Sequence, residues 1–304
     1  MPAAALLLLT LVLAAAASGC GDSEGEDESG GGEAAAVATT AIVGDIVASV
    51  GGERVEVDTL VSADADPHDH EPRPSDAVAL AEADLVVRSG GDLDEWLDDL
   101  IGSAGGDAPE VTLLDTVRSR GDDPHWWQDP RNVMLATEAV RDALAAADPD
   151  GDRAYERNAA AYLREFRALD RDIERCVQRV PPEKRKLVTT HDSLGYFAER
   201  YGVEVIGSVI PALSTQAQPS AKDVDALVDQ IRDEGVEAIF PEAAVSQRLE
   251  RAISGASGAE IGRELWTDTI GGEGSDAETY LDAMRANADA LAEGMSGGQV
   301  RCRS

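Results

Sequence analysis

Apolar and polar positions along this chain follow two alternating periods. Residues 39–45 form a short apolar block that reads as a buried strand, and a helical run follows to Val50, stopped by Gly51 and Gly52. Val55, Val57, Thr59 and Val61 alternate with polar neighbours, the signature of a half-buried strand. Pro74 and Ser75 open a helix, with Ser75 placed to cap it. A strand at 83–88 then turns through Gly90-Gly91 into an acidic helix at 93–100, and 111–114 is again strand-like. Asp129-Pro130 reads as an N-cap and first helical residue, after which Val133, Thr137, Val140 and Leu144 recur at helical spacing.

The second half repeats the scheme. Strands at 186–190, 204–210 and 238–240 alternate with helices at 193–201, 221–233, 246–254 and 277–293. Such alternation predicts an α/β fold of two lobes, each a parallel β-sheet flanked by helices. Between them, residues 150–179 form a run with no Pro or Gly after Gly151, rich in Ala, Leu, Arg and Glu. At 1.5 Å per residue a helix here runs on the order of 40 Å, longer than a compact lobe needs. It reads as a rigid strut joining the lobes. The expected boundaries are a first lobe at 39–149, a linking helix at 150–180 and a second lobe at 181–304.

The first forty residues do not join this pattern. Residues 6–17 are an apolar segment too short for a typical membrane span, ending in Ala17-Ser18-Gly19-Cys20. Residues 1–19 therefore read as a signal peptide, and the cleavage site resembles a bacterial lipobox with Cys20 as the lipidated residue. Ala17 stands where Leu is more common, and no Lys or Arg precedes the apolar run. Residues 21–38 are Gly, Ser, Asp, Glu and Ala with almost no bulky side chain, so they read as a flexible acidic tether. The expected location is outside the cytoplasm, on the outer face of the cytoplasmic membrane. In that compartment the two remaining cysteines, Cys176 and Cys302, suggest one disulfide tying the tail to the strut.

Charge narrows the partners. The formal net charge is −33, which argues against nucleic acid or an anionic lipid surface, since both need a basic face. Contact with the membrane is expected through the lipid anchor alone, and the chain is expected to be a monomer.

The chemistry is concentrated in four histidines. Asp66-Pro67-His68-Asp69-His70 packs two of them among prolines and carboxylates, and Asp123-Pro124-His125 repeats the first three residues. His191 opens the junction His191-Asp192-Ser193, and Asp268 follows Trp266-Thr267 before a glycine-rich loop. All four positions fall between a strand and the next helix, the edge at which open parallel sheets bind ligands. His68, His125, His191 and Asp268 would fill a tetrahedral shell, which suits Zn²⁺; Mn²⁺ prefers more oxygen. On an extended segment His70 points away from His68, so it reads as a supporting or solvent-facing residue. Trp126 and Trp127 could shield the ion or simply pack in the core. Glu242, at the end of Phe240-Pro241-Glu242, rivals Asp268 for the carboxylate place.

These motifs carry a resemblance. The stretch Asp66-Pro67-His68-Asp69-His70-Glu71-Pro72-Arg73-Pro74-Ser75-Asp76 resembles the first metal motif of the cluster A-I substrate-binding proteins of zinc and manganese ABC importers. The stretches beginning at Asp123, His191 and Trp266 resemble the second, third and fourth motifs, in order. The resemblance implies two α/β lobes on a rigid helix, with His68, His125, His191 and Asp268 as ligands, and an ABC permease with its ATPase as partners. A histidine rather than glutamate at 191 is the pattern of zinc-binding members. One departure is the short, histidine-free stretch 118–122, where many zinc-binding members carry a long metal-gathering loop.

A lipid-anchored adhesin or metal-buffering surface protein could use the same fold. A zinc hydrolase is the rival from another class. It needs a vacant metal position and a general base, whereas this chain has no His-Glu-x-x-His helix and four protein ligands would leave no vacancy. The expectation is a binding protein and not an enzyme.

Overall fold

In the computed structural model, which describes residues 34–302, strand and helix alternate to build two parallel sheets. The first contains β1 (Ala34–Ala38), β2 (Val55–Thr59), β3 (Leu85–Arg88) and β4 (Glu110–Thr112) in the order β2-β1-β3-β4. All three pairings are parallel. The crossovers carry α1 (Ala41–Gly51), α2 (Pro74–Glu82) and α3 (Trp96–Ala104). In the second half, β5 (Lys186–His191) pairs with β6 (Glu204–Ile210), and β7 (Ala238–Ile239) pairs with β8 (Glu260–Ile261). A parallel bridge from Thr189 to Phe240 joins the two pairs, with the Phe240 N–H donating to the Val188 carbonyl at 2.8 Å. The resulting order, β6-β5-β7-β8, repeats that of the first sheet. Each sheet therefore has a switch point beside its first strand, with a crevice at the carboxyl ends.

The N-terminal edge of the fold departs from the sequence expectation. Residues 34–38, read as the end of a tether, form the central strand β1, and 41–51, whose start was read as a strand, are helix α1. The reason lies in packing. β1 is the sequence Ala-Ala-Ala-Val-Ala, covered on both faces, with Ala36, Val37 and Ala38 buried, so small side chains fit where bulky ones would crowd. Ile42, Val43, Ile46, Val47 and Val50 recur at helical spacing and all face the core. Thr40 ends the strand and caps the helix, its hydroxyl accepting the Val43 N–H. Gly44 lets α1 press onto β2, since a Cβ there would collide with the Thr59 side chain. α2 begins at Pro74 as expected, but its N-cap is Arg73 and not Ser75, and Asp76 accepts the Arg73 N–H at 2.7 Å.

The strut is present as α5 (Asp152–Val177), 26 residues long. Tyr155, Ala159, Tyr162, Leu163, Phe166, Leu169 and Ile173 form its buried stripe. That stripe packs on α1 and α4 (Pro130–Ala147) from the first half, and on α6 (Gly195–Tyr201) and α9 (Tyr280–Met295) from the second. One apolar cluster consequently runs from Ala36 through α5 to Val300. Cys176, near the end of α5, is disulfide-bonded to Cys302, with Cα atoms 5.4 Å apart. Among the described residues no helix is long and apolar enough to cross a membrane. The expected signal peptide at 1–19, the expected lipidation site Cys20 and residues 21–33 of the expected tether lie outside the described residues.

Candidate metal centre

The Asp-Pro-His repeat is a local folding device. The carboxylates of Asp66 and Asp123 accept the backbone N–H two residues on, at His68 (2.9 Å) and His125 (3.1 Å). Each closes a tight turn that the intervening proline pre-sets. His191 ends β5 directly, and Asp268 follows Leu265, which bridges in parallel to Glu242. Four segments distant in sequence thus deliver side chains to one place. The donor atoms of His68, His125, His191 and Asp268 all lie within 4.8 Å of one another.

The spacing fits a single small ion. His191 Nε2 lies 3.2 Å from His125 Nε2 and 3.1 Å from an Asp268 oxygen. Asp268 also approaches the Nε2 atoms of His68 at 3.5 Å and His125 at 3.6 Å. A tetrahedral shell with bonds near 2.0–2.1 Å separates neighbouring donors by about 3.3 Å. The His68 Nε2 and one Asp268 oxygen are buried without a hydrogen-bond partner, a costly state for polar atoms that an ion between them would relieve.

Two further carboxylates aim the ligands. Asp123 meets the His125 Nδ1 at 2.8 Å, and Glu242 meets the His191 Nδ1 at 2.5 Å while accepting the His191 backbone N–H at 3.1 Å. Both arrangements turn the Nε2 atoms inward and raise their basicity. Glu242, weighed as a rival ligand, orients His191 from behind. Trp127 packs in the core against the donor group: it is buried, its ring stands edge-on to His125, and its indole N–H donates to the Thr267 carbonyl at 2.7 Å. Gln128 donates to the same carbonyl at 2.6 Å, fixing the residue before Asp268. The sequence motifs include Gln128 but carry no sign of this cross-chain role. His70 belongs neither to the donor group nor to solvent. Its side chain is only 6% exposed, packed on Trp96 and 3.4 Å from Asp76.

The electrostatics of the donor group favour a cation. Burial alone would raise the Asp268 carboxyl, but the facing imidazoles of His191 and His125 outweigh it and hold the group well below the usual carboxylate range. Burial alone would lower His191, but Glu242 and Asp268 on either side push it well above its ordinary value. Without a metal the site keeps a proton on His191 between two carboxylates; a cation would replace it.

The family described as zinc-uptake complex component A, periplasmic, matches residues 36–294. The chain belongs to that family. Among the relatives of this ZnuA-family protein is the manganese-binding lipoprotein MntA of Halalkalibacterium halodurans, 35% identical over 265 residues that cover 86% of this chain and 88% of the relative. The manganese ABC transporter substrate-binding lipoprotein PsaA of Streptococcus pneumoniae is 28% identical over 275 residues, again 86% of this chain and 88% of the relative. Among solved structures, the periplasmic zinc-binding protein TroA of Treponema pallidum superposes with a TM-score of 0.81 at 27% identity, covering 87% of this chain and 100% of that one. The ZnuA-family chain is a substrate-binding protein of a metal ABC importer, and not an enzyme.

Proposed function

We propose that this protein captures Zn²⁺ outside the cytoplasm with His68, His125, His191 and Asp268, and delivers it to an ABC permease driven by its ATPase. The observation that carries this reading is the donor set: three imidazole nitrogens and one carboxylate within 4.8 Å of one another. Nitrogen-rich, four-donor shells suit Zn²⁺, and Zn²⁺ outcompetes Mn²⁺ on such donors. Both Nδ1-orienting carboxylates support the same use, since they favour the imidazole tautomer that ligates through Nε2. Cys20 is proposed as the lipid attachment site that keeps the protein near the permease, with 21–33 as the tether. The domain reading follows: a first lobe offering His68 and His125, a linking helix, and a second lobe offering His191 and Asp268.

Mn²⁺ is the second reading, favoured by the manganese lipoproteins MntA and PsaA among the relatives. Titration of chelator-stripped protein separates the two. One equivalent of Zn²⁺ should bind and resist displacement by excess Mn²⁺, and His125→Ala should weaken binding at least a hundredfold. Preferential retention of Mn²⁺ would reverse the choice of metal, and full-strength binding by the variant would sink the ligand assignment. Labelling with a radioactive fatty acid, lost in Cys20→Ala, tests the anchor.

A further inference from the structure

The four donors are not held alike. His125 and His191 each have a carboxylate on Nδ1, whereas among the described residues no carboxylate accepts a hydrogen bond from the His68 ring, which approaches only Asp268. His68 sits instead on a short turn, residues Pro67–Asp69, whose backbone is gripped from the other half of the chain. The grip comes from the polar loop 211–220 between β6 and α7 (Ala221–Glu234). There the Thr215 hydroxyl donates to one Asp66 oxygen at 2.7 Å, and the Gln216 amide donates to the His68 carbonyl at 2.5 Å. The other Asp66 oxygen already accepts the His68 N–H. Asp66 therefore passes the hold of Thr215 directly into the turn that aims His68. Upstream, Asp64 is stitched to the Asp268 loop through Ile270 and Gly272, but those contacts do not touch the His68 turn.

We infer that Thr215 and Gln216 are positioning residues, a latch from the second half that fixes His68 over the bound ion and sets how fast the ion leaves. This inference rests on the proposed metal site. His68 is the ligand whose orientation depends least on its own half, so freeing its turn removes one donor while His125, His191 and Asp268 keep their supports. A latch of this kind stabilises the closed site after the ion has arrived. Its loss accelerates dissociation and leaves association nearly unchanged. Two hydrogen bonds, each worth a few-fold in an equilibrium, together correspond to about tenfold.

The test is stopped-flow release of Zn²⁺ from the one-to-one complex into excess chromogenic chelator, with association measured separately. Thr215→Val combined with Gln216→Ala should release zinc about tenfold faster, with the association rate within about twofold of the parent. Thr215→Ser beside native Gln216 should release at the parent rate, because the hydroxyl is kept. Gln218→Ala, an exposed neighbour in the loop, should also match the parent. A double variant that releases at the parent rate, or a Thr215→Ser variant as fast as Thr215→Val, overturns the latch while leaving the metal site standing. A parent protein that takes up no zinc overturns the site reading and the latch together.

Discussion

Glu242 supports the proposed metal site without supplying a donor to it. It is 1% exposed and spends both oxygens on His191, one on the ring and one on the backbone N–H. Replacing it with Gln keeps the shape but removes the charge that raises the basicity of the ligand, so zinc affinity should fall about 10–100-fold with stoichiometry unchanged. Asp123→Asn should act similarly through His125; competition against a calibrated chelator measures both. The same carboxylate sets a pH dependence. Glu242 and Asp268 hold His191 well above its ordinary value of 6.5, so the metal-free protein carries a proton there at neutral pH. Zinc needs the neutral ring, so binding should expel about one proton at pH 7 and tighten as pH rises. Calorimetry in buffers of different ionisation enthalpy reads this directly; a buffer-independent heat would contradict it. Stability of the metal-free protein should run the other way. A raised histidine stabilises fully below 6.5, and that contribution fades as pH climbs through the folded value.

Elements were legible where periodicity and punctuation agreed, and misread where they parted. α5 was visible as a long run without Pro or Gly, and α7 as the helix expected at 221–233; its N-cap Ser220 accepts the Asp223 N–H on its hydroxyl. β1 was not visible, because four alanines around a single β-branched valine show no alternation and little β-propensity. Only the three-dimensional demand for small residues under two covering layers explains it. α1 was half visible: its β-branched start looked like a strand, while Thr40 before a helical spacing was the available clue. That clue yields a prediction. Thr40→Ala should remove the cap and cost about 1 kcal/mol in urea unfolding, without altering metal stoichiometry. The site followed the same rule. The four proposed donors were readable along the chain as scarce, punctuated positions, and the structure brings them together, but Gln128, Thr215 and Gln216 act on segments 139, 149 and 148 residues away in sequence and left no local signal.

At the scale of the whole molecule, a chain of net charge −33 folds around a large apolar cluster that spans both halves, with a smaller cluster in each half beside it. Like charges on such a surface oppose compaction, so restraints on the unfolded chain matter more than usual. The disulfide supplies one. It links residues separated by 126 positions, and holds a tail whose Cys302 N–H also donates to Asp289 while Arg179 donates to the Arg301 carbonyl. The loop-closure estimate for that length is up to about 5 kcal/mol. At the proposed site a metal ion would supply a second restraint, since its donors come from both halves of the chain and only the folded state brings them together. At a free concentration a thousandfold above Kd it adds about 4 kcal/mol. These two restraints act on different segments, the tail and the cleft, and should add. The Cys176→Ala, Cys302→Ala double variant should therefore lose several kcal/mol in its metal-free form, still bind one equivalent of zinc, and regain most of the loss when saturated. Urea melts of the two proteins, each with and without zinc, give all four values. A metal increment much smaller in the cysteine-free protein would mean that the tail bond shapes the cleft, and that the two restraints are one.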